Sequence, residues 1–233
     1  MLNLRASLAG AAACALLFLT GCVTPPQAAV PMTSKSLGTQ GARIGVAMSP
    51  LPKVDTHLPG ASCLLCLAAA SIANSSLTSH ARTLPYEDLP KLKEMIAELI
   101  RKRGAEPVVI QEPIKVDDLP NNPASGANLA RKDFSSLQKK YGIDKLLLVD
   151  VTLIGFERTY SAYIPTSDPK GAFFGSGALI DLKTMALEWY QPLRVLRSAD
   201  GAWDEPPKFP GLTNAYFQVL ELGKDELLKP LAP

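Results

Sequence analysis

The sequence predicts an α/β (α+β) domain built on one mixed sheet of about five strands, ending in an antiparallel meander and flanked by helices. Three observations carry that expectation. Strand and helix periodicities alternate from residue 42 to 141, β-rich runs then follow one another from 145 to 196 across tight turn signals, and an amphipathic helix closes the chain. The 233 residues, 47% apolar and 20% charged, suffice for one substantial core and exclude collagen-like, disordered and polytopic membrane classes. With 24 basic against 22 acidic residues there is no clustered positive field for phosphate, so nucleic acid is not an expected partner. The 20 prolines and 16 glycines gather in separate stretches and punctuate the elements; no internal repeat is present.

Taken in order, Ile44, Val46 and Met48 alternate as a first strand that Ser49-Pro50 stops. The stretch 61–73 is nearly all apolar and reads as a buried helix, with Ser62 as N-cap and Asn74 as its stop. The best-patterned segment follows: Asp88 is placed to cap a helix in which Leu89, Leu92, Met95, Ile96, Leu99 and Ile100 recur at helical spacing. Arg101, Lys102 and Arg103 suit the negative end of its dipole, and Gly104 suits a left-handed stop. Residues 107–110 form a second short strand, and 133–141 a short helix ending at Gly142. A β-rich run over 145–156, continuing bent through 159–164, opens the meander; 172–182 and 185–196 complete it, turned by Asp168-Pro169-Lys170-Gly171 and Asp181-Leu182-Lys183-Thr184. The last helix starts at Asn214 and runs to Leu222 or Leu228.

Ahead of this domain, Arg5 is followed by an uncharged apolar run over 6–19, the pattern of a signal peptide and too short for a span of about 20 apolar residues. Leu19-Thr20-Gly21-Cys22 resembles the bacterial lipobox. The resemblance implies cleavage before Cys22 and lipidation of its sulfur, a permanent anchor because each buried methylene is worth about 0.8 kcal/mol. Val23, where an inner-membrane lipoprotein of enteric bacteria carries Asp, implies the outer membrane with the body in the periplasm. The expected organisation is therefore a lipoprotein signal peptide over 1–21, a lipidated flexible tether over 22–41 and a single periplasmic α/β domain over 42–233. The tether reading rests on Pro25-Pro26, Pro31 and a polar run without periodicity, with a mean coil reach of roughly 25 Å.

Two segments carry a wider resemblance. Tyr141-Gly142-Ile143-Asp144-Lys145-Leu146-Leu147-Leu148-Val149 is a helix end before a central strand, and Ala178-Leu179-Ile180-Asp181-Leu182-Lys183-Thr184 with Glu188-Trp189 is a hairpin ending in Trp. Together with the lipobox and element order they resemble the TolB-amino-terminal-like domain of outer-membrane lipoproteins of the curli-secretion and penicillin-binding-protein-activator types. The resemblance implies fold and an interaction module on a lipid leash. It supplies no catalytic residues, and no membrane hairpins of the curli type are legible.

Few residues carry candidate chemistry. Cys63 and Cys66 sit three apart in an oxidising compartment, where a disulfide and buried free thiols are both open readings; a low-pKa Cys63 at a helix start would permit thiol exchange. His57 and His80 bracket the pair, but the spacing is not that of a zinc finger, and neither metal nor cofactor is expected. Gly175-Ser176-Gly177 lacks the spacing of a nucleophile elbow and reads as relief of crowding within a strand. Asp117-Asp118 and Asp204-Glu205 read as solvated loop carboxylates. Trp203 and Phe209 lie in a Pro-rich loop, either as anchors for an envelope protein or folded back over the sheet. The expectation is a non-enzymatic accessory or assembly factor that meets the membrane through its lipid anchor, with a periplasmic thiol-disulfide or metal protein as the alternative; nothing in the sequence specifies an oligomeric state.

Overall fold

The computed structural model describes residues 26–37 and 41–232. The expected signal peptide over 1–21 and Cys22, the residue expected to carry lipid, lie outside the described residues. A mixed sheet carries the fold. Its path is β3 (Glu106–Val109), β1 (Arg43–Met48), β4 (Lys145–Glu157), β7 (Lys170–Asp181) and β8 (Leu187–Ser198), with β2 (Asp55–His57) paired to the far end of β4. β1 lies parallel to both β3 and β4, with Val46 opposite Val109 and Leu147, whereas β4, β7 and β8 form the antiparallel meander. The sheet is mixed for a local reason. β7 and β8 are joined by a tight turn and must run antiparallel, and the chain doubles back between β4 and β7 over residues 158–169, while β1, β3 and β4 are separated by long connections that return the chain to the same end.

Both faces are covered, so the central strands are apolar almost throughout. Ile44, Val46, Leu147, Val149 and Trp189 face one core, closed by α4 (Leu92–Lys102) and α6 (Pro210–Leu228). Ala47, Leu146, Leu148, Ala178 and Ile180 face the other, closed by Phe134, by Leu137 of α5 (Ser135–Tyr141) and by Ile114 of the preceding loop. α4 buries Leu92, Ile96 and Ile100, the apolar stripe read from its spacing, and Gly104 follows at φ +89°. Asp88 does not cap it. A 3₁₀ turn over Leu89–Lys91 intervenes, and the Asp88 carboxylate instead pairs with the buried ammonium of Lys224. Gly177 lets the sheet close, because a Cβ there would meet the Trp189 ring at 2.3 Å.

The segment read as a tether is partly built into the domain. Val30 exchanges backbone hydrogen bonds of 2.8 and 2.9 Å with Tyr190, and the short helix α1 (Ser34–Leu37) puts Leu37 into the main core at 1% exposure. The Lys145 ammonium donates to the Ser36 carbonyl at 2.9 Å and pairs with Glu188 at 2.6 Å. Polar, Pro-rich composition reports only that a segment has no periodicity of its own; one leucine and one bridge are enough to dock it. Beyond β4 the chain does not run on as a bent strand. It forms a separate two-stranded hairpin, β5 (Tyr160–Ser161) and β6 (Ile164–Pro165).

Candidate functional site: the far end of the sheet

His57, Cys63, Cys66, Asn74, His80, Trp203 and Phe209 converge at the end of the sheet where β4 finishes. The backbone of 55–62 runs beside 155–162, with Arg158 N–H bonded to the His57 carbonyl and Tyr160 N–H to that of Pro59. Two glycines permit the approach: Gly155 (φ +139°) and Gly60 (φ +88°) would each drive a Cβ into facing backbone, at 2.0 Å from the Asp55 carbonyl oxygen and 1.9 Å from that of Tyr160.

The helix α2 (Leu64–Ala73) leaves this loop, and its N-cap is Cys63, not Ser62. The Cys66 amide donates to Cys63 Sγ at 2.9 Å, and the two cysteines form a disulfide with Cα atoms 4.9 Å apart. Cys63 is exposed and Cys66 is buried. Asn74 stops the helix as expected and does more. Its amide donates to the Ala70 carbonyl at 2.7 Å and lies 2.6 Å from the Tyr160 hydroxyl, while its carbonyl oxygen accepts from Arg158 at 3.1 Å. A further helix not read from the sequence, α3 (Ser75–Ala81), follows and is tied to β2 by the Arg82–Asp55 ion pair at 2.9 Å.

The expectation of a buried helix over 61–73 is overturned. Within α2 only Cys66 and Ala70 are buried, settling with Ala61 on Tyr160, whereas Leu64 is 90%, Leu65 73% and Ile72 75% exposed. An apolar run with no polar face gives no signal of which side packs; here the fold offers it only a stripe one residue wide.

Trp203 and Phe209 belong to the same end. Their rings stack at 6.2 Å with an interplanar angle of 3°, the Arg158 guanidinium lies 4.8 Å from the Trp203 centroid, and His80 meets Phe209 at 5.6 Å. Both rings are half-buried against the main core, so the loop folds back on the body. His80 Nε2 is 2.7 Å from Thr213 Oγ1 of α6; partial burial, with Lys208 nearby, holds its pKa below the ordinary value. His57 is exposed on β2. The two histidines and two cysteines do not form a metal set: among the described residues no group of three or more His, Cys, Asp or Glu side chains is placed to hold an ion.

Arg158 is the residue the sequence reading missed. Its Nε donates to the Ser167 carbonyl at 3.2 Å, so one guanidinium joins the hairpin connection, the α2–α3 junction and the Trp203 ring. An isolated arginine after a β-rich run carries no sequence signal of such a role. Asp117 and Asp118 are exposed on a 3₁₀ turn (Val116–Asp118) and not in a loop, Asp204-Glu205 are exposed loop carboxylates, and Gly175-Ser176-Gly177 lies mid-strand in β7.

No protein-family model matches the chain, and no curated protein matches it. Solved structures similar to it include the PelC dodecamer from Paraburkholderia phytofirmans, at 11% identity and TM-score 0.36 over 88% of this chain and 96% of that one. A DUF330 protein from Xanthomonas campestris aligns at 12% identity and TM-score 0.34, covering 88% and 93% of the two chains. Lipoprotein GNA1162 from Neisseria meningitidis does so at 14% and 0.28, covering 79% and 99%.

Proposed function

We propose that this protein is a lipid-anchored interaction module of the bacterial cell envelope, held on Cys22 at the outer membrane with its domain in the periplasm, and acting as an accessory or assembly factor for an envelope complex. One observation carries the reading. The far end of the sheet gathers apolar and aromatic side chains that the fold leaves partly or wholly uncovered, and large uncovered apolar surface on a stable domain marks a place of interaction. The loop 199–209 is the part offered to a protein partner: the Trp203–Phe209 stack forms its floor and the exposed Ala202, Asp204, Glu205 and Lys208 its rim.

Photocrosslinking in cells from Trp203 and these rim positions, followed by mass spectrometry of the membrane fraction, tests the reading. A single reproducible partner, lost on Asp204→Arg at unchanged melting temperature, is expected. Capture of lipids and abundant porins alone from every position refutes a dedicated partner. A second reading, thiol-disulfide exchange, draws on the exposure of Cys63 at the start of α2. It requires that the bond exchange with glutathione; an inert bond refutes it.

A further inference from the structure

Among the described residues the exposed large hydrophobic side chains are Met95 and six others: Leu64, Leu65, Leu67 and Ile72 on α2, and Tyr163 and Ile164 at the tip of the β5–β6 hairpin. The six form one patch, for the Tyr163 hydroxyl lies 3.7 Å from Cys63 Sγ at the start of the helix. No Asp, Glu, Lys or Arg occurs from residue 56 to 81. The charges that flank this stretch are paired, Arg82 with Asp55, and Arg158 before the hairpin is bonded to Asn74 and Ser167; Asp168 after the hairpin is exposed.

We propose that α2 and the hairpin tip are immersed in the headgroup and upper acyl region of the bilayer that anchors Cys22, as a second membrane contact that sets the orientation of the domain. This rests on the lipoprotein reading above. The shape of the patch selects lipid over protein. Cys66, Ala70 and Asn74, four residues apart, form the only stripe of α2 and its cap that the body covers, and the rest of the circumference is exposed and, apart from Ser71, apolar. A partner protein or a second copy covers one face of such a ridge and leaves its flanks in water, whereas a fluid bilayer solvates it on all sides. Ten residues rise about 15 Å, half of the roughly 30 Å hydrocarbon core, so the helix lies in the interface and does not cross. No cationic residue lies in the patch, so the attraction is apolar and does not depend on anionic lipid.

The chain outside the described residues sets the distance. Four residues, Cys22 to Pro25, precede Pro26, which borders the same cleft as Asp150 and Ser176 of the sheet. Fully extended they reach roughly 14 Å. α2 lies beyond Glu157, seven residues further along β4 and roughly 23 Å away at about 3.3 Å per residue. Both contacts are met when the strands lie near the plane of the membrane. The acyl chains already hold the protein, so the contribution of α2 is to orientation.

The test uses the full chain purified from membranes, with the amino terminus read by mass spectrometry, in vesicles of phosphatidylethanolamine and phosphatidylglycerol with or without phosphatidylcholine brominated at mid-chain. Leu65→Trp and, at the other end of the helix, Ile72→Trp are compared with wild type; Glu98→Trp, exposed on α4, is the control. All three positions are solvent-facing, so the fold is preserved. The expected result is blue-shifted emission from the indoles on α2, reduced by about half by bromine at the 5–10 Å depth of an interfacial helix, and no quenching of the control. With Cys22 acylated, water-like unquenched emission overturns the inference and leaves the lipoprotein reading standing. Blue-shifted emission that bromine does not quench also overturns it, because a second copy or another protein then covers α2. If Cys22 carries no lipid, the lipoprotein reading fails, and the unacylated chain added to the same vesicles decides for α2: quenching supports its immersion and the absence of quenching overturns it.

Discussion

Leu37→Ala tests whether the segment 26–37 belongs to the domain. Leu37 is 1% exposed within the main core, and truncation of such a leucine costs about 3 kcal/mol from lost transfer energy and the cavity left behind. The segment is held also by Met32 against the main core and Val30 against the other, by the Val30–Tyr190 bridge and by hydrogen bonds such as Lys145–Ser36, each hydrogen bond a modest net contribution. The loss therefore appears first as undocking of 26–37, and the effect on global unfolding saturates once the segment is free. Lys35 reads this directly. It is exposed but held in α1, so trypsin cleaves after it only from the undocked state. Where undocking is fast relative to cleavage, about 3 kcal/mol raises the cleavage rate by roughly 100-fold. Cleavage after Lys35 in the full chain, followed by mass spectrometry, is the assay, with urea denaturation alongside. Equal cleavage rates and equal urea midpoints in wild type and variant would refute the docking and restore a free tether over 22–41.

Gly177→Ala places a methyl 2.3 Å from the Trp189 ring and 2.8 Å from Leu227, and overpacking of this kind costs about 1–3 kcal/mol; an unchanged melting temperature would show that Trp189 yields freely. Trp203→Ala removes the stack on Phe209 and the contact with Arg158, a loss of about 1–2 kcal/mol that thermal melting will register; full stability would show that the ring adds nothing to the packing of the domain. The pKa of His80 is lowered by burial and by Lys208, so the unfolded chain takes up a proton more readily than the folded one. The stability this provides is complete above the unfolded value of about 6.5 and is lost as pH falls toward the folded value, so melting temperature should drop on acidification below about pH 6.5 and drop less in His80→Gln; identical profiles would exclude the contribution.

Sequence legibility followed the range of the interactions. α4 was readable because its stripe of Leu92, Ile96 and Ile100 repeats at the helical period, and the β7–β8 turn because the Asp181 side chain accepts bonds from Lys183 and Thr184 only two and three residues away. The β7–β8 half of the meander was readable for the same reason, because a short turn leaves antiparallel pairing as the one choice, whereas β4 reaches β7 only through the β5–β6 hairpin. α2 was misread as buried because an all-apolar run has no polar face to betray its exposure. The docking of 26–37 was missed because it depends on residues far along the chain, Tyr190 and Lys145.

The candidate site divides along the same line. Residue types alone marked Cys63, Cys66, Trp203 and Phe209 as noteworthy, since thiols three apart and aromatics in a stiff loop have few ordinary reasons to be there. That they share one end of the sheet, joined through Arg158 and Asn74, could not be read from the chain, because no local pattern encodes a contact between Arg158 and Trp203. Periodicity, turn chemistry and the apolar character of 61–73 are properties of neighbouring residues. Which apolar surfaces meet a partner within the domain, and which are left to something outside it, is settled by strand order and by how much surface the completed sheet has to offer; for α2 that was a single stripe.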